Sequence, residues 1–314
     1  MIAVPRGHRR ITRVGLAMVG PATVALLLGS VVTALPAPRS ASAHTDTFVA
    51  VSNGVRLRVV EAGPPRAQPI VLIPGWCFTA DIWSKQIDAL SDRYRVIAID
   101  PRSQGRSTIV DQSNSPDDRA RDIAALITKM RLHRPVIVGW SQGVQDVAAY
   151  AMTFGTGAVG GIVLVDATVS AGAAGLTAGA ASQTFGRMPI YANSPRDYLE
   201  GMMPYISNKP LSSTELAAIV TAALRTPTSV GVANLVLDFF GKDYRPAFKR
   251  IDVPTLLIVA GTAQDKSEQL QQPIPGATSA VVEGAGHAVF YDEPERFNEL
   301  LGRFLEERVE ADKS

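Results

Sequence analysis

From about residue 47 onward, hydrophobic positions follow two alternating periods. Phe48–Val51 and Val55–Val60 flank Asn53-Gly54, the dipeptide that best closes a two-residue hairpin. Short strand-like apolar runs follow at Ile70–Ile73, Tyr94–Ile99, Pro135–Val138, Ile162–Val165, Thr255–Val259 and Ala280–Val282, the first of them continuous. Such runs predict strands buried on both faces. Between them, Ile82–Leu90, Asp117–Met130 and Val144–Phe154 carry helical spacing, with Ile123, Leu126, Ile127 and Met130 on one face. Pro294–Val309 closes the chain as an amphipathic helix. Apolar strands alternating with helices predict an α/β fold, its mostly parallel sheet covered on both faces. The hairpin adds antiparallel strands at one edge. Residues 168 to about 250 break the alternation with Gly/Ala-rich stretches and helical patterns such as Thr214–Leu224. Lying between two strands, they are expected to form a lid set onto the sheet.

Composition changes this picture at the N-terminus. The first 43 residues hold Arg6, Arg9, Arg10, Arg13 and Arg39, with no Asp, Glu or Lys. Val14–Leu35 is 22 residues without a charge, and Ala41-Ser42-Ala43 follows a Pro-containing stretch. Basic, apolar and A-x-A regions in that order predict an export signal over 1–43, cleaved to leave a domain over 44–314. The expected location is secreted, periplasmic or cell-envelope. The same apolar stretch is long enough to anchor an uncleaved chain in a bilayer; after cleavage no membrane contact is expected. Arg9-Arg10 is a weak twin-arginine signal. Of 31 Lys and Arg residues, 26 remain beyond the signal against 29 acidic residues, a balance near −3. No basic stripe is left, so nucleic acid is not an expected partner. Cys77 is the only cysteine, which rules out an internal disulfide, and it reads as a small buried apolar residue.

Gly155, Gly157 and Gly160 match G-x-G-x-x-G, but a helix precedes them and a strand follows. A dinucleotide fingerprint needs the reverse order, so these glycines read as a helix-to-strand turn. With no P-loop and no H-E-x-x-H, neither an organic cofactor nor a metal is expected.

Gly139-Trp140-Ser141-Gln142-Gly143 is different. A predicted strand enters this G-x-S-x-G and a predicted helix leaves it, the context of a nucleophile elbow. A serine needs a neighbouring base, usually histidine. Beyond the signal there are His44, His133 and His287. His44 lies at the new terminus. His133 precedes the elbow strand by its full length, roughly 25 Å at about 3.3 Å per residue. His287, in Gly284-Ala285-Gly286-His287 after the last strand, is left as the base. Two acids compete for the third place, both between serine and histidine in chain order: Asp166, ending the strand Ile162–Val165, and Asp265, following the strand Thr255–Val259. An oxyanion hole would take one N–H from Gln142 and one from Trp76 in Pro74-Gly75-Trp76. In the lid, Met202, Met203, Tyr205 and Phe239 are candidates to line a substrate pocket.

These motifs together resemble the α/β-hydrolase superfamily from about residue 47 to 309, and within it bacterial esterases of the non-haem haloperoxidase and arylesterase group. Pro74–Trp83 is similar to that group's oxyanion loop. Asp100-Pro101-Arg102-Ser103-Gln104-Gly105-Arg106-Ser107 resembles the superfamily's D-x-R-G-x-G-x-S turn, and Gly286-His287 followed by Pro294 resembles its histidine loop. Pro74 stands where the group usually has His, and Ser103 replaces a glycine. Gln264 occupies the usual place of the acid, with Asp265 one residue late, while some relatives carry the acid where Asp166 sits. Asp166 is the preferred acid and Asp265 its alternative. The resemblance implies a serine hydrolase cleaving a small-molecule ester through an acyl-enzyme. The alternatives are perhydrolysis or carbon–carbon bond hydrolysis on the same triad, or a non-catalytic ligand-binding protein of this fold.

Overall fold

The structure, a computed structural model, describes residues 44–310 except Asn53, Leu176 and 262–272; the side chain of Phe239 is also outside the described set. The proposed signal over 1–43 and the candidate Asp265 therefore lie outside the described residues.

Among the described residues the sheet has eight strands: β1 Thr45–Ser52, β2 Val55–Ala62, β3 Pro69–Ile73, β4 Arg95–Ile99, β5 Val136–Trp140, β6 Gly161–Val165, β7 Thr255–Ala260 and β8 Thr278–Val282. Their spatial order is β1-β2-β4-β3-β5-β6-β7-β8. β1 and β2 form the antiparallel hairpin, β2 pairs antiparallel with β4, and every later pair is parallel. This is the mostly parallel α/β architecture expected of the α/β-hydrolase fold.

The period of two along each strand divides the core. Ile70 and Leu72 of β3 join Val96, Ala98, Val136 and Val138 on one face, under helices α1 (Ser84–Leu90) and α8 (Pro294–Phe304). Val71 and Ile73 join Ile97, Ile99 and Ile137 on the other, under α2 (Pro116–Lys129) and α3 (Gln142–Phe154). The residues of β3, β5 and β6 are all buried, which explains their unbroken apolar runs. Each fully buried Ile, Leu or Val contributes about 1.5–3 kcal/mol. Ser115 begins α2 with a capping box: its hydroxyl accepts from the Asp118 N–H while the Asp118 carboxylate accepts from the Ser115 N–H.

Between β6 and β7 the chain leaves the sheet and forms α4 (Ala178–Asn193), α5 (Pro195–Ile206), α6 (Ser213–Ala223) and α7 (Thr228–Phe240). Their buried side chains, among them Tyr191, Leu199, Val220 and Ala223, gather with Trp76 and Cys77 in a separate small core. Among the described residues no single helix is long and apolar enough to cross a membrane.

Candidate active site

The site lies beyond the carboxyl ends of the parallel strands, and register decides which loops meet there. Ile73 of β3 is level with Gly139 of β5, Trp140 with Val165 of β6, and Val165 with Ile258 of β7. Ser141 and Asp166 therefore emerge from adjacent strands at one height, and the Pro74–Trp76 loop emerges on the other side of Ser141. The Ser141 N–H donates to Val165 O at 3.2 Å, and the Asp166 N–H to Ile258 O at 3.0 Å, extending the ladder into the site.

Ser141 sits at φ 55°, ψ −115°, a conformation that L-residues adopt only under strain. The neighbouring glycines make the turn feasible. A Cβ on Gly139 would lie 2.4 Å from Gly143 O, and one on Gly143 would lie 2.7 Å from Ile73 O. Only a chain without side chains at both places lets α3 start this close to β5 and β3. Asp166 also has positive φ, at 46°, and is buried.

His287 reaches across β7 from the loop after β8. Its Nε2 lies 2.9 Å from Ser141 Oγ and its Nδ1 lies 2.7 Å from Asp166 Oδ2. The other Asp166 oxygen accepts the Ala260 N–H at 3.1 Å. Several contacts fix the histidine loop. Trp140 Nε1 donates to His287 O at 2.9 Å, Gly286 N–H donates to buried Asp292 at 2.7 Å, and Ala288 N–H donates to Ile206 O at 2.7 Å. Asp292 also accepts from Ser207 Oγ and from the Asn208 N–H, so one carboxylate holds both the histidine loop and the end of α5. Trp140 and Asp292 went unnoticed in the sequence reading. Trp140 read only as the variable position of the elbow motif, and Asp292 belongs to no motif.

The candidate oxyanion residues flank the serine. Gln142 opens α3, so its N–H is among those that have no acceptor within the helix. Gly75 approaches Ser141 so closely that a Cβ would lie 3.0 Å from the serine's own Cβ. That brings the loop carrying Trp76 beside the nucleophile. The Trp76 ring turns away into the lid: Nε1 donates to Gly231 O at 2.9 Å, and the ring meets Tyr191 edge-on at 4.8 Å. Gly231 has no room for a side chain, since a Cβ there would meet Tyr191 Oη at 2.6 Å.

The other candidates divide. Met202 and Tyr205 line a cavity of about 620 Å³ that holds Ser141, His287 and Gln142. Met203 does not; it is buried in the core beneath the lid, because successive helix positions point about 100° apart. The cavity lining combines apolar residues, including Trp76, Phe78, Ile206 and Leu235, with polar and charged ones, including Gln145, Ser170, Arg187 and Asp238. His133 is exposed and absent from the cavity lining, and His44 pairs with Asp88 at 3.0 Å. Cys77 is buried with its sulfur 3.7 Å from Tyr191 Oη, and burial pushes its thiol up to about 12, leaving it neutral. Ser103 has φ 62°, and its hydroxyl accepts from the Val110 N–H at 2.9 Å; this bond supports the left-handed turn without a glycine. Among the described residues no group of three or more His, Cys, Asp or Glu side chains is arranged to hold a metal ion.

The chain matches the Alpha/beta hydrolase family over residues 70–300. It is 30% identical over 276 residues to a non-heme chloroperoxidase from Streptomyces lividans, covering 82% of this chain and 98% of that protein. It is 28% identical over 275 residues to a putative 2-succinyl-6-hydroxy-2,4-cyclohexadiene-1-carboxylate synthase from Bacillus subtilis (strain 168), covering 82% and 97%. Among solved structures, an esterase from Exiguobacterium antarcticum superposes with TM-score 0.76 at 20% identity, covering 83% of this chain and all 100% of that one. A bromoperoxidase from Bacillus anthracis gives 0.75 at 21% identity, covering 84% and 100%. These superpositions establish the shared fold.

Proposed function

The chain belongs to the alpha/beta hydrolase family, and on that premise we propose that it cleaves carboxylic esters by two-step acyl transfer. The observation that carries this reading is the hydrogen-bonded series from Ser141 Oγ through the His287 ring to Asp166, set on a strained elbow. Ser141 Oγ attacks the ester carbonyl carbon while His287 Nε2 takes its proton. Asp166 holds the Nδ1–H tautomer and stabilises the imidazolium. The N–H groups of Gln142 and Trp76 receive the tetrahedral oxyanion, aided by the N-terminus of α3. As the intermediate collapses, the C–O bond to the alcohol breaks and His287 returns the proton to the leaving oxygen. A water molecule then attacks the acyl-enzyme, His287 again taking and returning a proton, and the acid departs. The apolar residues of the cavity lining suit an uncharged acyl or alcohol group.

Replacing Ser141 with Ala tests the reading. Turnover of a p-nitrophenyl ester should vanish with the melting temperature unchanged, and near-normal kcat would refute it. The similarity to a non-heme chloroperoxidase favours a second reading, in which hydrogen peroxide replaces water in deacylation and yields a peracid. Assaying an ester panel with and without peroxide separates the two. A non-catalytic binder would be recognised by poor labelling with a fluorophosphonate probe. We further propose that the domain is exported and begins at about His44, which N-terminal sequencing of secreted or periplasmic material tests.

A further inference from the structure

Of the charged lid residues that line the cavity, Arg187 and Asp238, it is Asp238 that bonds the residue after the nucleophile. Asp238, on the inner side of α7, is 5% exposed and lines the cavity with Ser141 and Gln142. Its Oδ2 accepts from the side chain of Gln142, and its Oδ1 accepts from Arg119 Nη2 of α2 at 2.7 Å. Arg119, 2% exposed, also donates through Nε to Asp146 at 2.7 Å. Gln142 and Asp146 are four residues apart and so share one face of the first turns of α3. The Gln142 side chain is held from a second direction, since Gln104 Nε2 of the Asp100–Ser107 turn donates to Gln142 Oε1 at 3.3 Å. The residue whose N–H would meet the oxyanion is thus clamped between the sheet's loop and the lid.

A buried guanidinium between two carboxylates is a poor way to gain stability. Desolvation of the charges offsets much of their attraction, and apolar residues of the same volume often stabilise as well or better. What such a cluster supplies is direction: a carboxylate accepting two bonds from two helices tolerates little displacement. We propose that Asp238 is a positioning residue for the oxyanion hole, so that seating of α7 fixes the Gln142 side chain and with it the backbone N–H that receives the oxyanion. The inference rests on the acyl-transfer reading above. It adds that the lid is part of the apparatus that stabilises the transition state as well as a cover for the substrate.

The test compares wild type, Asp238→Asn, Gln142→Met and the double variant. An Asn accepts one of the two bonds but not both with full charge, and Met keeps the backbone N–H while losing the tie. Measured quantities are kcat and KM for p-nitrophenyl butyrate, affinity for a boronic acid that forms a tetrahedral adduct on the serine, and melting temperature. Each single variant should lose roughly tenfold in kcat with KM within about twofold, and boronate affinity should fall by a similar factor. The double should be no worse than the poorer single, because both changes remove one contact. A purely structural role would lower the melting temperature and leave kcat and boronate affinity unchanged at a temperature where the protein is folded; that result overturns the inference. Losses that multiply in the double also overturn it. If Asp238→Asn fails to fold, Gln142→Met still decides through kcat and boronate affinity. Should Ser141→Ala retain turnover, the acyl-transfer reading fails by itself, a result distinct from any of these.

Discussion

The carboxyl edge of the sheet and the lid solve the same problem, positioning side chains around one cavity, by different physical means. At the sheet edge each group follows directly from a strand or its next loop, main-chain bonds carry the ladder into the site (Ser141 N–H to Val165 O, Asp166 N–H to Ile258 O), and the Ala260 N–H donates to the Asp166 carboxylate. In the lid the packing is apolar, Phe185, Ile190 and Tyr205 remain exposed, and a few polar contacts tie it down, such as Trp76 to Gly231 and Gln142 to Asp238. Strand register leaves little freedom, since a slip of one residue would reverse every side chain. Helix packing allows sliding and repacking at low cost. On the acyl-transfer reading the sheet edge carries the reacting groups and the lid lines the substrate cavity, with contact between the two at Gln142–Asp238 and at Asp292.

The largest expected effects therefore lie on the sheet side. Ser141→Ala should lower kcat by roughly 10⁵–10⁶, the scale for removing a nucleophile that acts with its base. Single-turnover and steady-state assays against a p-nitrophenyl ester would measure it, and an intact melting temperature would show the fold is preserved. Asp166→Asn should lower kcat by about 10³–10⁴, because an amide carries no charge and favours the wrong histidine tautomer. Asp265→Asn should change it less than about twofold, as a carboxylate outside the triad contributes little to the rate. A collapse confined to Asp265→Asn would move the acid to Asp265. It would also break the comparison, since the acid would then no longer follow directly from β6.

At the junction the expected effect is on stability and depends on pH. Asp146 faces Arg119 and Asp122 of α2, Asp238 of α7 and the ring of Tyr244. Burial is the largest influence on its carboxyl and pushes it up to about 7, against the attraction of Arg119. An acid with a raised folded value binds its proton more tightly when folded. The associated stability is present below the unfolded value of about 4 and is lost as pH rises through about 7. Wild type should therefore lose stability relative to Asp146→Asn between those limits, by urea midpoints at several pH values. A relative gain over that window would reverse the assignment.

The smallest effects should come from the lid. Met202 and Leu235 line the cavity, and Met202→Ala and Leu235→Ala should change KM for longer acyl chains by a few-fold, since each removed methylene contributes about 0.8 kcal/mol. Their kcat for a short ester should hold. Trp76→Phe keeps the backbone N–H and loses one hydrogen bond to Gly231, about 1 kcal/mol, and should loosen the lid more than it slows chemistry. If these three lowered kcat as much as Asp166→Asn does, the division between the two regions would fail.

Much of the sheet could be read from the chain because burial on both faces leaves a local signature, the unbroken apolar run. Gly139-Trp140-Ser141-Gln142-Gly143 was legible for a related reason: its glycines are required by backbone contacts within a few residues of the serine and with the next strand. The first half of the lid was not. α4 contains Pro189 and α5 contains Pro204, and both interrupt the spacing by which a helix is recognised. Met203 read as a pocket residue and lies in the core, because adjacent helix positions differ only in direction, which packing decides.

What the sequence determined by itself were the strands, the helices that cover them, the elbow serine and the histidine after the last strand. Each rests on local periodicity, or on a residue type that few backbone conformations permit. What the tertiary structure decided was proximity. Nothing in the order of residues puts Asp166 rather than another carboxylate 2.7 Å from His287 Nδ1; the register of β5, β6 and β7 does. Nor does it join Asp238 to Gln142 across 96 positions, or Asp292 to Gly286 and Asn208. Those contacts exist because a parallel sheet collects the ends of distant strands at one edge and a lid folds over them. A polar side chain's partner there is set by three-dimensional packing, which leaves no periodic mark on the chain.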